Sequence, residues 1–156
     1  MSPAKKKSAR RKPAKAKARS AKPNALKNTV RVNRAATASL KYLSWNDVEI
    51  EAMNPLLGRQ LIVGHQVMLA RVLLKKGCIV PLHSHVNEQL SYILEGALKF
   101  YIDGKEIVVR AGEVLTIPPN MPHKAEAMED TVDLDIFNPP RADWINKTDQ
   151  YLRAAK

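Results

Sequence analysis

Three of the chain's four histidines fall in two short stretches whose residue types suit metal binding. The first, Gly77 to Gly96, reads GCIVPLHSHVNEQLSYILEG and carries His83 and His85. β-Branched and aliphatic residues flank the pair, so the stretch predicts strand, turn, strand. Residues i and i+2 of a strand face the same side, about 6.6 Å apart. His83 and His85 therefore aim two imidazoles at one volume, with Ser84 turned away. Gln89 follows across a short turn and offers a carbonyl oxygen from the next strand. The second stretch, GEVLTIPPNMPHKAE, starts at Gly112 and carries His123. Pro118, Pro119 and Pro122 stop regular pairing and fix a turn that can bring His123 over the same face. Converging imidazoles are what a divalent transition metal needs, and imidazole suits Zn, Ni, Fe, Mn and Co alike.

Three histidines and a glutamine are all neutral ligands, so an ion held by them keeps its full charge. Such a site draws an anionic group, a carboxylate or an enolate, to its open positions. A small anionic substrate is the expected partner. A purely structural zinc site would be closed and rich in thiolates. Cys78 lies beside the ligand pattern and reads as a small core residue, and His65, next to a Gly64 turn, reads as surface.

The elements that must position these groups are short strands. Leu40, Tyr42, Leu43 and Trp45 offer a first edge strand or a cover, and Asn54-Pro55 marks a turn. Arg59–Val63 and Val67–Lys75 read as a hairpin. Asp103-Gly104 joins Ala97–Ile102 to Glu106–Arg110 in a second one. Glu113–Ile117 leads into the proline turn. Thr131–Phe137 alternates strictly, with Val132, Leu134 and Ile136 on one face and Asp133, Asp135 and Phe137 on the other. Asn138-Pro139-Pro140 ends it, and the remainder reads as one short helix or clasp in which Trp144, Ile145, Tyr151 and Leu152 pack down. Roughly nine or ten strands with turns between them predict an all-β sandwich or barrel. Closure would remove the exposed edges of so many apolar strands.

Charge divides the chain. Residues 1–34 hold 13 of the 26 Lys and Arg and none of the 15 acidic residues, which leaves 13 basic against 15 acidic in residues 35–156. The first part is a Lys-, Ala- and Pro-rich run without aromatics, expected to be a disordered tail. Non-specific binding to nucleic-acid phosphates through it is the sharper alternative, and a targeting presequence a further one. Residues 35–156 form one domain. The single cysteine fits a reducing, cytoplasmic setting, and no apolar run is long enough to cross a membrane.

The two histidine stretches resemble the two cupin motifs: Gly77, five residues, His83-x-His85, three residues, Gln89, six residues, Gly96; then Gly112, Pro118 and His123. Gln89 stands where Glu is usual, Asn120 where Gly is usual, and Ala127 where an Asn often closes the second motif. The resemblance spans about Asn46 to Trp144. It implies a double-stranded β-helix, or jelly-roll, barrel with a metal held by His83, His85, Gln89 and His123. Cupin barrels often pair, so a homodimer is expected. The stretch DLDIFNPPRADW further resembles the pectin-degradation (KdgF-type) cupins, which open the ring of 4,5-unsaturated monouronates. That resemblance places the family's acidic, aromatic and arginine positions on Asp135, Phe137 and Arg141. It implies an isomerase in which Asp135 moves a proton and Arg141 grips a substrate carboxylate with two hydrogen bonds. Tyr92 and Phe137 are expected to wall the pocket. Asp133 shares the face of Asp135, so the residues alone leave open which acid faces the metal, and a salt bridge to Asp135 or Asp143 is the alternative use of Arg141. Two other functions fit the same residues: a cupin-type dioxygenase, and a non-enzymatic ligand-binding cupin with a nucleic-acid-binding tail.

Overall fold

The computed structural model describes residues 39–153. The basic run at 1–34 lies outside them. Among the described residues the chain forms β1 (Glu51–Asn54), β2 (Leu57–Val63), β3 (Met68–Leu74), β4 (Ile79–His83) and β5 (Glu88–Glu95). Then come β6 (Ala97–Ile102), β7 (Lys105–Arg110), β8 (Val114–Ile117), β9 (His123–Ala127) and β10 (Thr131–Asn138). Two sheets result, one ordered β1-β2-β3-β10-β5-β8 and the other β4-β9-β6-β7. The pairings are antiparallel. The expected closed barrel is thus two separate sheets: neither closes on itself by hydrogen bonds. They share one core, with Met53, Met68 and Ile93 from the larger sheet and Leu98, Phe100 and Val109 from the smaller. Each such side chain, fully buried, stabilises by about 1.5–3 kcal/mol.

Local chemistry explains the turns. Asp103 and Gly104 both adopt positive φ, 52° and 69°, which twists β6 and β7 in the sense a two-residue hairpin needs. Gly96, the last glycine of the first motif, has φ 80°, and a Cβ there would sit 2.3 Å from the carbonyl oxygen of Asp130. No other residue fits that corner.

The N-terminal expectation needs correcting. Leu40 and Tyr42 are fully exposed, and Trp45–Asp47 is a 3-10 turn capped by Ser44. The edge strand is Glu51–Asn54 instead. A 3-10 turn wins at Trp45 because the Ser44 side chain accepts from the backbone of Asn46 while Asp47 caps the Ser44 N–H.

The C-terminal segment holds two short helices rather than one, α1 (Ala142–Ile145) and α2 (Gln150–Arg153). Trp144 and Leu152 are buried, Tyr151 is half-buried, and Ile145 remains exposed. The segment is fastened by charge. Arg59 on β2 donates to Asp149 at 2.5 Å and to Glu51 at 3.0 Å, and its guanidinium lies over the Trp144 ring. Arg153 reaches Glu51 at 2.8 Å, and the Asn54 side chain donates to the carbonyl of Leu152.

Candidate metal centre

His83 ends β4, His85 lies in the β4–β5 loop, and His123 opens β9. His83 and His123 are direct cross-strand partners. Simple alternation would not give this. From Val80, paired with Ala125, regular pairing would set Leu82 opposite His123; one extra residue makes the partner His83. This β-bulge contains Pro81, which has no N–H to give the ladder. It throws Leu82 outward, 69% exposed, and turns His83 in. The His85 carbonyl accepts from the backbone N–H of Asn120 at 2.7 Å, which ties its loop to the proline turn. Asn120 has φ 63°, a left-handed conformation that Asn tolerates better than most side chains, so it serves where the motif usually has Gly.

One ligand nitrogen from each of the three imidazoles lies within 4.8 Å of the others. Backbone carbonyls fix the tautomers. His83 Nδ1 donates to Pro81 O at 2.9 Å, His85 Nδ1 to Asn87 O at 3.0 Å, and His123 Nδ1 to Met121 O at 2.8 Å. A carbonyl oxygen can only accept, so each Nδ1 carries the proton and each Nε2 offers its lone pair. His123 Nε2 is buried with no hydrogen-bond partner. His85 Nε2 faces Gln89 Oε1 at 2.9 Å. The Gln89 amide is oriented by its other end, where Nε2 donates to Asp135 Oδ1 at 2.7 Å and to Ser91 Oγ at 2.9 Å. Two acceptors therefore face each other, and an orphaned third lone pair lies close by. A cation satisfies all of them, so this cluster can coordinate a divalent metal ion.

Burial pushes the His83 imidazole down to about 3, helped by His123, and the His85 imidazole down to about 4, helped by Arg141. His123 is lowered too, again chiefly by burial. The sign matters for metal retention. Protons and metal compete for the same lone pairs, and a depressed pKa weakens the proton. Metal content is expected to stay constant from about pH 8 to about pH 5, and to fall as the pH nears the values of His85 and His83. Dialysis at stepped pH followed by metal analysis checks this; loss beginning near pH 6.5, the ordinary histidine value, would contradict it.

The face of β10 that carries the acids points inward. Asp133, Asp135 and Phe137 are buried, while Val132, Leu134 and Ile136 are half-buried on the outer face. Asp135 is 5% exposed and accepts from Gln89 and from Ser91 Oγ. Burial raises its carboxyl to about 6, against the pull of Ser91, Gln89 and Arg141. Phe137 sets its ring edge-on to His85, with centroids 5.6 Å apart, and so braces that ligand.

Arg141 is 1% exposed, with its guanidinium over the Phe137 and Trp144 rings. Its Nε and Nη2 already pair with Asp143, at 2.9 and 2.6 Å, and Nη2 also donates to the Tyr151 hydroxyl at 3.1 Å. Only Nη1 is left, buried and without a partner among the described residues. The expected two-pronged grip on a substrate is thus committed to Asp143, because a carboxylate two residues on reaches the fork first. Tyr92 does not wall the cavity: it sits on the outer face of β5, between Leu134 and Val114. Strand parity decides this, since Gln89, Ser91 and Ile93 take the inner positions.

One cavity of about 520 Å³, counting the space open to solvent at its mouth, has a polar wall of His83, Gln89, His123, Asp133, Asp135, Arg141 and Arg59. Sequence reasoning missed three contributors. Ser91 holds Asp135, and its signal was its place two residues after Gln89 on the same strand face. Asn87 accepts from His85 and donates to Pro139 O at 2.6 Å. Tyr151, expected only to pack down with the C-terminal segment, stacks on His83 with centroids 4.6 Å apart, and nothing local marks that contact.

A paired-sheet domain with a three-histidine centre defines a class, and comparison with known proteins gives its family. The family model described as Cupin domain matches residues 70–138. An RmlC-like cupin from Shewanella frigidimarina is 30% identical in a structural match that covers 69% of this chain and 97% of that one, with a TM-score of 0.64. The chain belongs to the cupin superfamily. It is also similar to the pectin degradation protein KdgF of Dickeya dadantii, 25% identical over 108 residues, which are 67% of this chain and 98% of that protein. The structure of KdgF from Halomonas sp. shares the fold, at 22% identity and a TM-score of 0.64, over 68% of this chain and 99% of that one. Among the described residues no helix is long and apolar enough to cross a membrane.

Proposed function

We propose that the chain is a metal-dependent isomerase of small carboxylated, sugar-like molecules, with ring opening of an unsaturated uronate as its specific reaction. The observation that carries this reading is the Gln89 amide, which faces the histidine cluster with its oxygen and holds Asp135 with its nitrogen. His83, His85, His123 and Gln89 would hold the ion, whose charge would make a bound hydroxyl more acidic. Glutamine suits this place better than the usual glutamate. A second carboxylate there would face Asp135 at hydrogen-bond distance, and the two could not both stay ionised.

The chemistry needs one proton moved and nothing added. Asp135, whose carboxyl at about 6 is poised for acid–base work near neutrality, takes the proton of the hydroxyl beside the ring oxygen. A carbon–oxygen double bond forms there as the ring carbon–oxygen bond breaks. The electron pair released makes an enolate, and Asp135 returns the proton to its carbon, which leaves a linear keto acid. Arg141 Nη1 gives the substrate carboxylate one hydrogen bond in a water-poor wall. Similarity to a protein named for pectin degradation supports this substrate class.

The test is metal-loaded protein mixed with a 4,5-unsaturated monouronate, following the ultraviolet absorbance of its conjugated double bond. The expected result is loss of absorbance that stops after chelation and proceeds unchanged without oxygen. A requirement for oxygen would favour a dioxygenase instead. No turnover of any uronate by fully loaded protein would overturn the proposal.

A further inference from the structure

Assigning His123 Nε2 to a metal leaves two buried side-chain polar atoms without partners among the described residues, Arg141 Nη1 and Asp133 Oδ1. Both belong to side chains of the same cavity. Asp133 is 3% exposed and is the inward residue of β10 next after Asp135. Strand geometry puts it about 6.6 Å further along that face. Its partners in register are Val72 and Ile93, Arg59 lies one strand further on opposite Val72, and the same cavity is lined by Leu98 and Phe100. Nothing in the fold accounts for a carboxyl group there. Among the described residues it makes no ion pair and caps no element, and an apolar residue would bury more favourably.

Resting on the proposed reaction, we infer that Asp133 is a substrate-contacting residue: its carboxyl group hydrogen-bonds a hydroxyl or carbonyl oxygen at the end of the ligand remote from the anionic group held by Arg141. The cavity then recognises a molecule at two separated points besides the metal. One is an anion at the Arg141 end, the other a neutral oxygen beside Val72 and Ile93, where the nearest guanidinium, that of Arg59, is bonded to Glu51 and Asp149. A monocarboxylate bearing ring hydroxyls has that pattern; a simple dicarboxylate does not, because a second anion would meet an acid. Burial and the nearby Asp135 charge both raise the Asp133 carboxyl well above the usual range, which suits a group that donates O–H to a neutral oxygen. A purely structural Asp133 would be an unrewarded cost, and its removal would only stabilise the chain.

The experiment uses the full chain loaded with metal and two non-reacting probes measured by calorimetry: D-glucuronate, and cyclohexanecarboxylate, which keeps the ring and the anion but has no hydroxyls. Wild type is expected to prefer glucuronate. Asp133→Leu should bind glucuronate at least about 10-fold more weakly and cyclohexanecarboxylate as well as wild type or better, with its metal content intact. Asp133→Asn, which keeps a donor and an acceptor, should stay within about 3-fold of wild type. Should the leucine variant not fold, Asp133→Ala replaces it with no risk of overpacking. Unchanged glucuronate binding in the leucine or alanine variant overturns the role of Asp133 alone. Failure of loaded wild type to bind glucuronate overturns this assignment together with the uronate reaction beneath it.

Discussion

Asp135→Asn is expected to keep its metal and lose turnover on an unsaturated uronate by about 10²–10⁴-fold, the range that a positioned acid–base group contributes. The substitution is nearly isosteric. Its carbonyl oxygen can still accept from Ser91 and from the Gln89 amide, so Gln89 stays oriented toward His85. What disappears is the ability to take and return a proton. Metal analysis and progress curves on the same preparation separate the two effects. Wild-type turnover in that variant would remove Asp135 from the reaction, and lost metal would show that it had served only to hold Gln89.

Arg59→Met is expected to destabilise the domain by about 3–5 kcal/mol, the cost of breaking a buried ion pair from one side. Both partners of the Arg59–Asp149 pair are out of solvent, with side-chain exposures of 1% and 0%. Without Arg59, the Asp149 oxygen it holds is left buried with its charge, and only Arg153 remains on the other oxygen. Thermal unfolding should drop by about 10–20 °C. Arg59→Met combined with Asp149→Leu should recover most of the loss, since no uncompensated charge then remains. Denaturant titration of wild type and the two variants measures this; a loss below about 1 kcal/mol in the single variant would mean that the C-terminal clasp is fastened elsewhere.

The histidine cluster was legible because its parts are local: His83-x-His85, and His123 behind three prolines. The reason His83 points inward was not. Alternation from Val80 puts Leu82 inside, and only the extra residue of the bulge reverses this. On β10, alternation sorted the residues correctly but could not say which set faced the core. The apolar trio Val132, Leu134 and Ile136 would normally win the interior, yet the two acids took it. That exchange makes sense for a strand that lines a site rather than seals a core. The Arg141–Asp143 pair was one of the uses the sequence left open for Arg141, but its bond to Tyr151, ten residues on, was not, since no periodicity links them. The expected barrel failed at closure alone, because hydrogen-bond continuity between sheets is a matter of strand edges that patterning does not encode.

The three imidazoles share a further trait. Each gives its Nδ1 proton to a carbonyl two positions away in its own chain segment, rather than to a neighbouring carboxylate. The tautomer they present, with each Nε2 lone pair free, is therefore set by peptide groups, which every sequence possesses. Drift in the surrounding side chains can reshape what the cavity admits without turning these lone pairs away. How tightly each nitrogen holds a proton still answers to the burial and the Arg141 charge around it.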